Sequence, residues 1–201
     1  MRRSFAIALF TLATLITSEP TWAHPMPDTR ITVARDAEML RMTIRIPWQE
    51  LLLALPEEMP RHVVGPTEEN FSHLRSYFIR HLHVVPEDNP PVPITLHWIR
   101  VYESSDEDIG LYREVEVVAS TVVRGDVPLM LDYDAVLHRV ANHRAIVRDS
   151  GCAPVGVVRF SLAQRHATPV VIPLASRASI TPADVALPSC AELHAPHHDR
   201  R

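Results

Sequence analysis

The sequence predicts a mainly β protein: an immunoglobulin-like antiparallel β-sandwich with a helical insertion over about residues 47–85. Three observations lead there. The segment LRMTIRI, residues 40–46, alternates perfectly between apolar and polar side chains, the period of a half-buried strand. After Val92, six further segments are rich in Val, Ile, Leu and aromatic residues, and turn-like ESSDEDIG, RGDVP and SGCAP separate several of them. Between these two regions the apolar spacing lengthens to three and four residues, which is helical.

The elements follow in order. Met1-Arg2-Arg3-Ser4 is cationic, Phe5 to Ile16 is apolar, and Thr21 and Ala23 supply small residues. These are the parts of a secretory signal peptide over residues 1–23, cleaved after Ala23, which makes His24 the first residue of the exported chain. The apolar core is shorter than the roughly 20 residues that span a bilayer, and no later stretch is long and apolar enough. Residues 24–175 then form one sandwich domain. Thr29 to Arg35 pairs with the alternating segment through a turn near Asp36. Pro47 opens WQELLLAL and Pro56 closes it, bounds that suit a short helix. From Thr67, the stripe Phe71, Leu74, Phe78, Leu82 and Val85 predicts an amphipathic helix ending before Pro86, with Glu68 and Glu69 in its favourable first turn. EDNPPVP is a linker. Strands are expected over 94–102, 111–122, 129–140, 144–148, 155–162 and 169–174. Residues 176–201 are rich in proline, alanine and histidine and read as a flexible tail.

Composition narrows the function. The formal charge is −4, and all 20 basic residues are arginines, scattered along the chain. An acidic balance without a basic cluster argues against a nucleic-acid partner. The two cysteines, Cys152 and Cys190, favour one disulfide in an exported protein, with a thiol metal site or two unpaired thiols as the alternatives. There is no GxSxG or HExxH, and five glycines leave little material for a phosphate-cradling loop. A non-enzymatic role is expected. The acidic ESSDEDIG lacks the spaced ligands of a calcium loop and reads as a hairpin tip.

Metal chemistry is the sharper possibility. If LDYDAVLHRVANHRAIV, residues 131–147, is a hairpin with Ala141-Asn142 at its tip, His138 and His143 are diagonal neighbours on one face. Their Cα atoms would be about 7–8 Å apart, so two imidazoles could converge on one ion. Asp132 and Asp134 share that face further down, and Asp134 is placed to orient a histidine. The alternative is a polar sheet face with incidental histidines. His24, if terminal, offers an α-amine and an imidazole as a chelate, while Pro25 has no N–H to contribute and Met26 adds a thioether suited to Cu(I). The candidate ligands are therefore His24, His138 and His143, against an unused terminal histidine. His73, Tyr77 and His81 step along one helical face and His83 lies elsewhere; structural or solvated roles are expected for them. The HAPHHDRR cluster, with His194, His197 and His198, could hold a metal weakly or be a solvated tail, and reads as the tail.

Taken together, AHPMPDT, IPWQELLLAL, LRSYFIRHL and LDYDAVLHRVANHRAIV resemble the extracytoplasmic N-terminal region of HupE/UreJ-type membrane proteins, over residues 24 to about 175. His24, Tyr133, Asp134, His138 and His143 match the positions of that family's short motifs. The resemblance implies a periplasmic or secreted β-sandwich, handling of nickel or cobalt, and a membrane permease or other membrane protein as partner. The family's multi-helix membrane part has no counterpart here, so permease activity is not implied. The expectation is an exported, soluble domain that binds or presents nickel, cobalt or copper, with Asp134 and Tyr133 supporting the ligands. The alternative is a metal-free interaction module of the same fold, docking on a membrane partner.

Overall fold

The computed structural model describes residues 26–36, 38–56, 68–106, 109–140, 142–173, 186–187 and 190. The expected signal peptide, His24 and most of the expected tail lie outside them. The fold is mainly β, two sheets with a helical insertion between the second and third strands. In chain order the elements are β1 (Thr29–Arg35), β2 (Met39–Pro47), α1 (Trp48–Ala54), α2 (Glu68–His81), β3 (Leu82–Pro86), β4 (Thr95–Asp106), β5 (Gly110–Val122), β6 (Leu129–Tyr133), β7 (Arg144–Asp149), β8 (Pro154–Ser161), β9 (His166–Ala167) and β10 (Val170–Ile172). The larger sheet runs β4-β5-β2-β1-β7-β8-β9, and the smaller runs β10-β6-β3.

The alternating segment behaves as its pattern requires. Leu40, Met42, Ile44 and Ile46 are buried in the core, paired with β1 through Ile31 opposite Ile44 and Val33 opposite Met42. The turn is held by Asp36, whose carboxylate accepts the N–H groups of Glu38 and Met39. β5 continues the core with Val115, Val117 and Ala119. β4 and β5 form the expected hairpin, but the strand runs further than the sequence suggests: Glu103–Asp106 of ESSDEDIG belong to β4, with Asp106 opposite Gly110. One pairing was not foreseen: β1 runs parallel to β7, with Thr29 opposite Ala145, so the large sheet is mixed.

The opposite face of the large sheet is polar and also buried. Arg41, Thr43, Arg45, Glu114 and Glu116 lie there, with Arg45 and Arg100 both paired to Glu116 at 3.0 and 2.7 Å and Arg30 paired to Glu114. A segment from the end of the chain covers part of it. The Leu187 N–H donates to Thr43 Oγ1 at 2.7 Å, Leu187 is itself buried, and three residues later Cys190 forms the disulfide with Cys152.

Two expectations fail in the region between. The helix expected to run to Val85 stops at His81, and Leu82–Pro86 is a strand of the small sheet. The hairpin expected over residues 129–148 does not form. β6 ends at Tyr133 and pairs with β3 and β10, whereas β7 belongs to the other sheet and pairs with β1 and β8. Residues 135–139 are turn, not strand. The physical reason is that each strand buries its alternate residues more completely by crossing between sheets. Leu129, Leu131 and Tyr133 face the core from one layer and Ala145 and Val147 from the other. The sheets approach closely at Gly156 of β8, where an added Cβ would lie 2.7 Å from Val170 Cγ1 of β10.

Candidate metal centre

The small sheet positions the site. Its inner face is Leu82, Val84, Leu129, Leu131, Tyr133, Val170 and Ile172, all buried. Side chains alternate across a strand, so His83, Val85, Met130, Asp132 and Val171 fall on the outer face. Asp134 extends the β3–β6 ladder by one position, its N–H donating to the His81 carbonyl at 3.1 Å. His81 is the last residue of α2, so helix and strand meet there without a loop.

After Asp134 the chain folds back through a helical turn. The His138 N–H donates to the Asp134 carbonyl at 3.1 Å, and the Val140 N–H to Val136 at 2.9 Å. Val136 enters this turn with φ of 71°, a left-handed conformation that costs a β-branched residue about 1–3 kcal/mol. It is held there because its side chain is fully buried and its N–H donates to the Tyr77 hydroxyl at 3.0 Å. Burial pushes the Tyr77 phenol up to about 12, so it stays protonated at neutral pH.

This turn brings His138 over His81. The two imidazoles stack with centroids 4.4 Å apart and planes 10° from parallel, and Tyr77 packs on His81 at 4.5 Å. His81 Nδ1 lies 2.7 Å from Asp134 Oδ1, and His138 Nδ1 lies 2.9 Å from the Asp134 carbonyl. An ionised carboxylate and a carbonyl only accept, so each neutral ring donates from Nδ1 and keeps its lone pair on Nε2. Fixing one ring nitrogen by an oxygen acceptor and leaving the other free is the arrangement of metal-ligating histidines. Burial, with His81 beside it, holds the His138 pKa below the usual imidazole value, which favours the neutral form a metal takes.

His81, Asp134 and His138 each offer a ligand atom, all within 4.8 Å of one another. Metal–nitrogen bonds of about 2.0–2.1 Å bridge up to about 4.2 Å, so closing the set on one ion requires the stacked rings to turn out of parallel and Asp134 to exchange its hydrogen bond to His81 for the ion. Two imidazoles and a carboxylate suit nickel, cobalt, copper or zinc.

The candidate residues are therefore redistributed. His138 is in the cluster, and Asp134 does orient a histidine, but that histidine is His81. His143 sits elsewhere: its Nε2 hydrogen-bonds Thr29 Oγ1 at 2.8 Å, its Nδ1 faces Glu50 at 3.9 Å, and burial lowers its pKa. The pair His138–His143 does not form because its hairpin does not. Tyr133 is wholly buried on the inner face, its phenol pushed up by that burial, and is a core residue beside the site. Met26 and Asp28 are described but His24 is not, so its amine chelate lies outside the described residues. Cys152 and Cys190 are bonded to each other and are not a thiol site. His81 had been placed on a solvated or structural helix face; its signal was the change from helical to alternating period directly after it. The chain matches no protein-family model and has no match among curated proteins.

Proposed function

We propose that this protein is a non-enzymatic, exported β-domain that holds a transition-metal ion at His81, Asp134 and His138 and presents it to a membrane permease or another membrane protein. The observation that carries this reading is the cluster itself, two imidazoles and a carboxylate whose ligand atoms all lie within 4.8 Å of one another. Nickel, cobalt and copper fit the donor set, and copper will outcompete the others in vitro whatever the physiological cargo. The disulfide accords with an oxidising compartment. No helix among the described residues is long and apolar enough to cross a membrane, which accords with a domain that works beside a membrane protein.

The test is metal content and thermal stability of the purified exported chain with nickel, cobalt or copper, before and after His81→Ala/His138→Ala. The wild type should retain metal and gain about 5–10 °C in Tm at a hundredfold excess over Kd, from about 2.7 kcal/mol of linkage. The double variant should lose both. His143→Ala should retain them, since His143 is engaged with Thr29. Wild-type protein that retains no metal and shows no Tm response would leave the metal-free docking module as the reading.

A further inference from the structure

The polar face of the large sheet carries Arg30, Arg41, Arg45 and Arg100 against Glu114 and Glu116. Both carboxylates are engaged. Glu114 takes Arg30 and the hydroxyls of Tyr102 and Tyr112, and Glu116 takes Arg45 and Arg100. Arg41 is a cation left over. It is 2 % exposed, and its Nε and Nη1 have no hydrogen-bond partner among the described residues. A guanidinium keeps its charge in a protein, and a buried charge without a counter-charge is among the costliest features a fold can carry.

None of the described carboxylates pairs with it. Ser120 is directly opposite Arg41 on β5, and Glu116 lies four residues further along that strand, about 13 Å away. At the β1–β2 turn, Asp36 accepts the N–H groups of Glu38 and Met39, and Glu38 is exposed. Asp149, at the end of β7, accepts the N–H groups of Gly151 and Ala153.

The neighbours of Arg41 on this face are hydroxyls, both buried. Thr43, two residues along β2, accepts the Leu187 N–H at its Oγ1, 2.7 Å away. Ser120 Oγ lies 2.8 Å from His97 Nε2. A hydroxyl that accepts keeps its own proton to give, so Thr43 is a donor, and Ser120 is one when His97 Nε2 carries its proton. The set is one cation and two hydroxyl donors, on a face covered in part by Leu187 and tied by Cys152–Cys190. Such a set repels a metal ion and attracts an oxyanion, which arginine binds through charge-assisted hydrogen bonds. Phosphate and sulfate present four oxygens, enough for the guanidinium and both hydroxyls, and are small enough for a covered face.

We propose that Arg41, with Ser120 and Thr43 beside it, binds a free tetrahedral oxyanion, phosphate or sulfate, on the covered face of the large sheet. The site lies on the other sheet from the His81–Asp134–His138 cluster and does not rest on the metal reading. The ion supplies the missing negative charge, so its uptake stabilises the fold.

Calorimetric titration and thermal melts of the purified exported chain test this, in phosphate, sulfate or chloride at equal ionic strength. One phosphate or sulfate should bind per chain and raise Tm above the chloride control, and the tighter of the two identifies the ion. Both ions also stabilise proteins generally, by exclusion from the surface, so Arg41→Met supplies the baseline. That variant removes the unpaired charge at similar volume, a change that buried ionic sites tolerate. It should weaken binding at least about tenfold and keep only the general salt response. Ser120→Ala should weaken binding less. A wild type without saturable binding overturns the site, as does a Tm response equal in wild type and Arg41→Met. Saturable binding that survives in Arg41→Met puts the ion on another arginine and overturns it too. If the wild type binds no ion, and Asp184→Asn and Arg41→Met shift Tm non-additively, the counter-charge is the chain's own carboxylate and the proposal falls.

Discussion

His143 shows how one residue type takes different work from its surroundings. It shares chemistry with His138, yet it is buried at the start of β7 with Thr29 on one nitrogen and Glu50 near the other. Burial is the main cause of its lowered pKa; Arg144 adds to the shift and Asp28 opposes it. A histidine whose folded pKa lies below its value of 6.5 in the unfolded chain favours folding above that pH, and loses the contribution as pH falls through the folded pKa. Tm should therefore hold steady above about pH 6.5 and decline below it. His143→Gln should lose part of that decline, measured by thermal melts from pH 4 to 8, and an unchanged acid limb would clear His143. Nothing in the local text around His143 separates it from His138. Both precede an arginine in a stretch that reads equally well as hairpin, and only the non-local pairing of β7 with β1 decides the matter.

Among the elements, the small sheet was the least legible. HLHVVP fits two periods at once: Leu82 and Val85 extend the helical stripe, while Leu82, Val84 and Pro86 alternate. The structure buries Val84 and leaves Val85 on the outer face, because β6 offers a ladder that a longer α2 could not use. By contrast β1, β2 and α1 were readable, since LRMTIRI has one period and Pro47 and Pro56 bracket the helix. Gly156 reports where the two sheets meet. A methyl there would press on Val170, a branched and buried side chain with little room to retreat. Gly156→Ala should destabilise the fold by about 1–3 kcal/mol, seen as a lower denaturation midpoint with unchanged slope. A neutral result would mean that β8 and β10 can part at no cost.

For the whole molecule, the large sheet is covered on both faces. Its apolar face meets the small sheet and the helices, while its polar face, with Arg41, Arg45, Glu114 and Glu116, is covered in part by Leu187 and tied by Cys152–Cys190. The bond closes a separation of 38 residues, which in the chain-entropy model stabilises the fold by about 4 kcal/mol. Reduction, or Cys152→Ser/Cys190→Ser, should lower the unfolding free energy by about that amount while leaving any metal uptake unchanged, because the His81–Asp134–His138 cluster lies at the end of the other sheet. A drop well under 1 kcal/mol would show that the covering segment stays docked without its tether. The cysteine count made this bond readable, but not its effect: a strip of chain expected to be tail contributes Leu187 to the cover over buried charges.

The junction of α2 with β3 has one further consequence. The helix is 14 residues long, about 21 Å of rigid rod, and its last residue is His81, the imidazole hydrogen-bonded to Asp134. No slack separates rod from ligand. Any partner that grasps the far end of α2 holds a lever whose short arm carries an imidazole. A tilt of that rod would draw His81 away from Asp134 and from its stacked neighbour, so on the metal reading proposed above, docking and release of an ion would be a single movement.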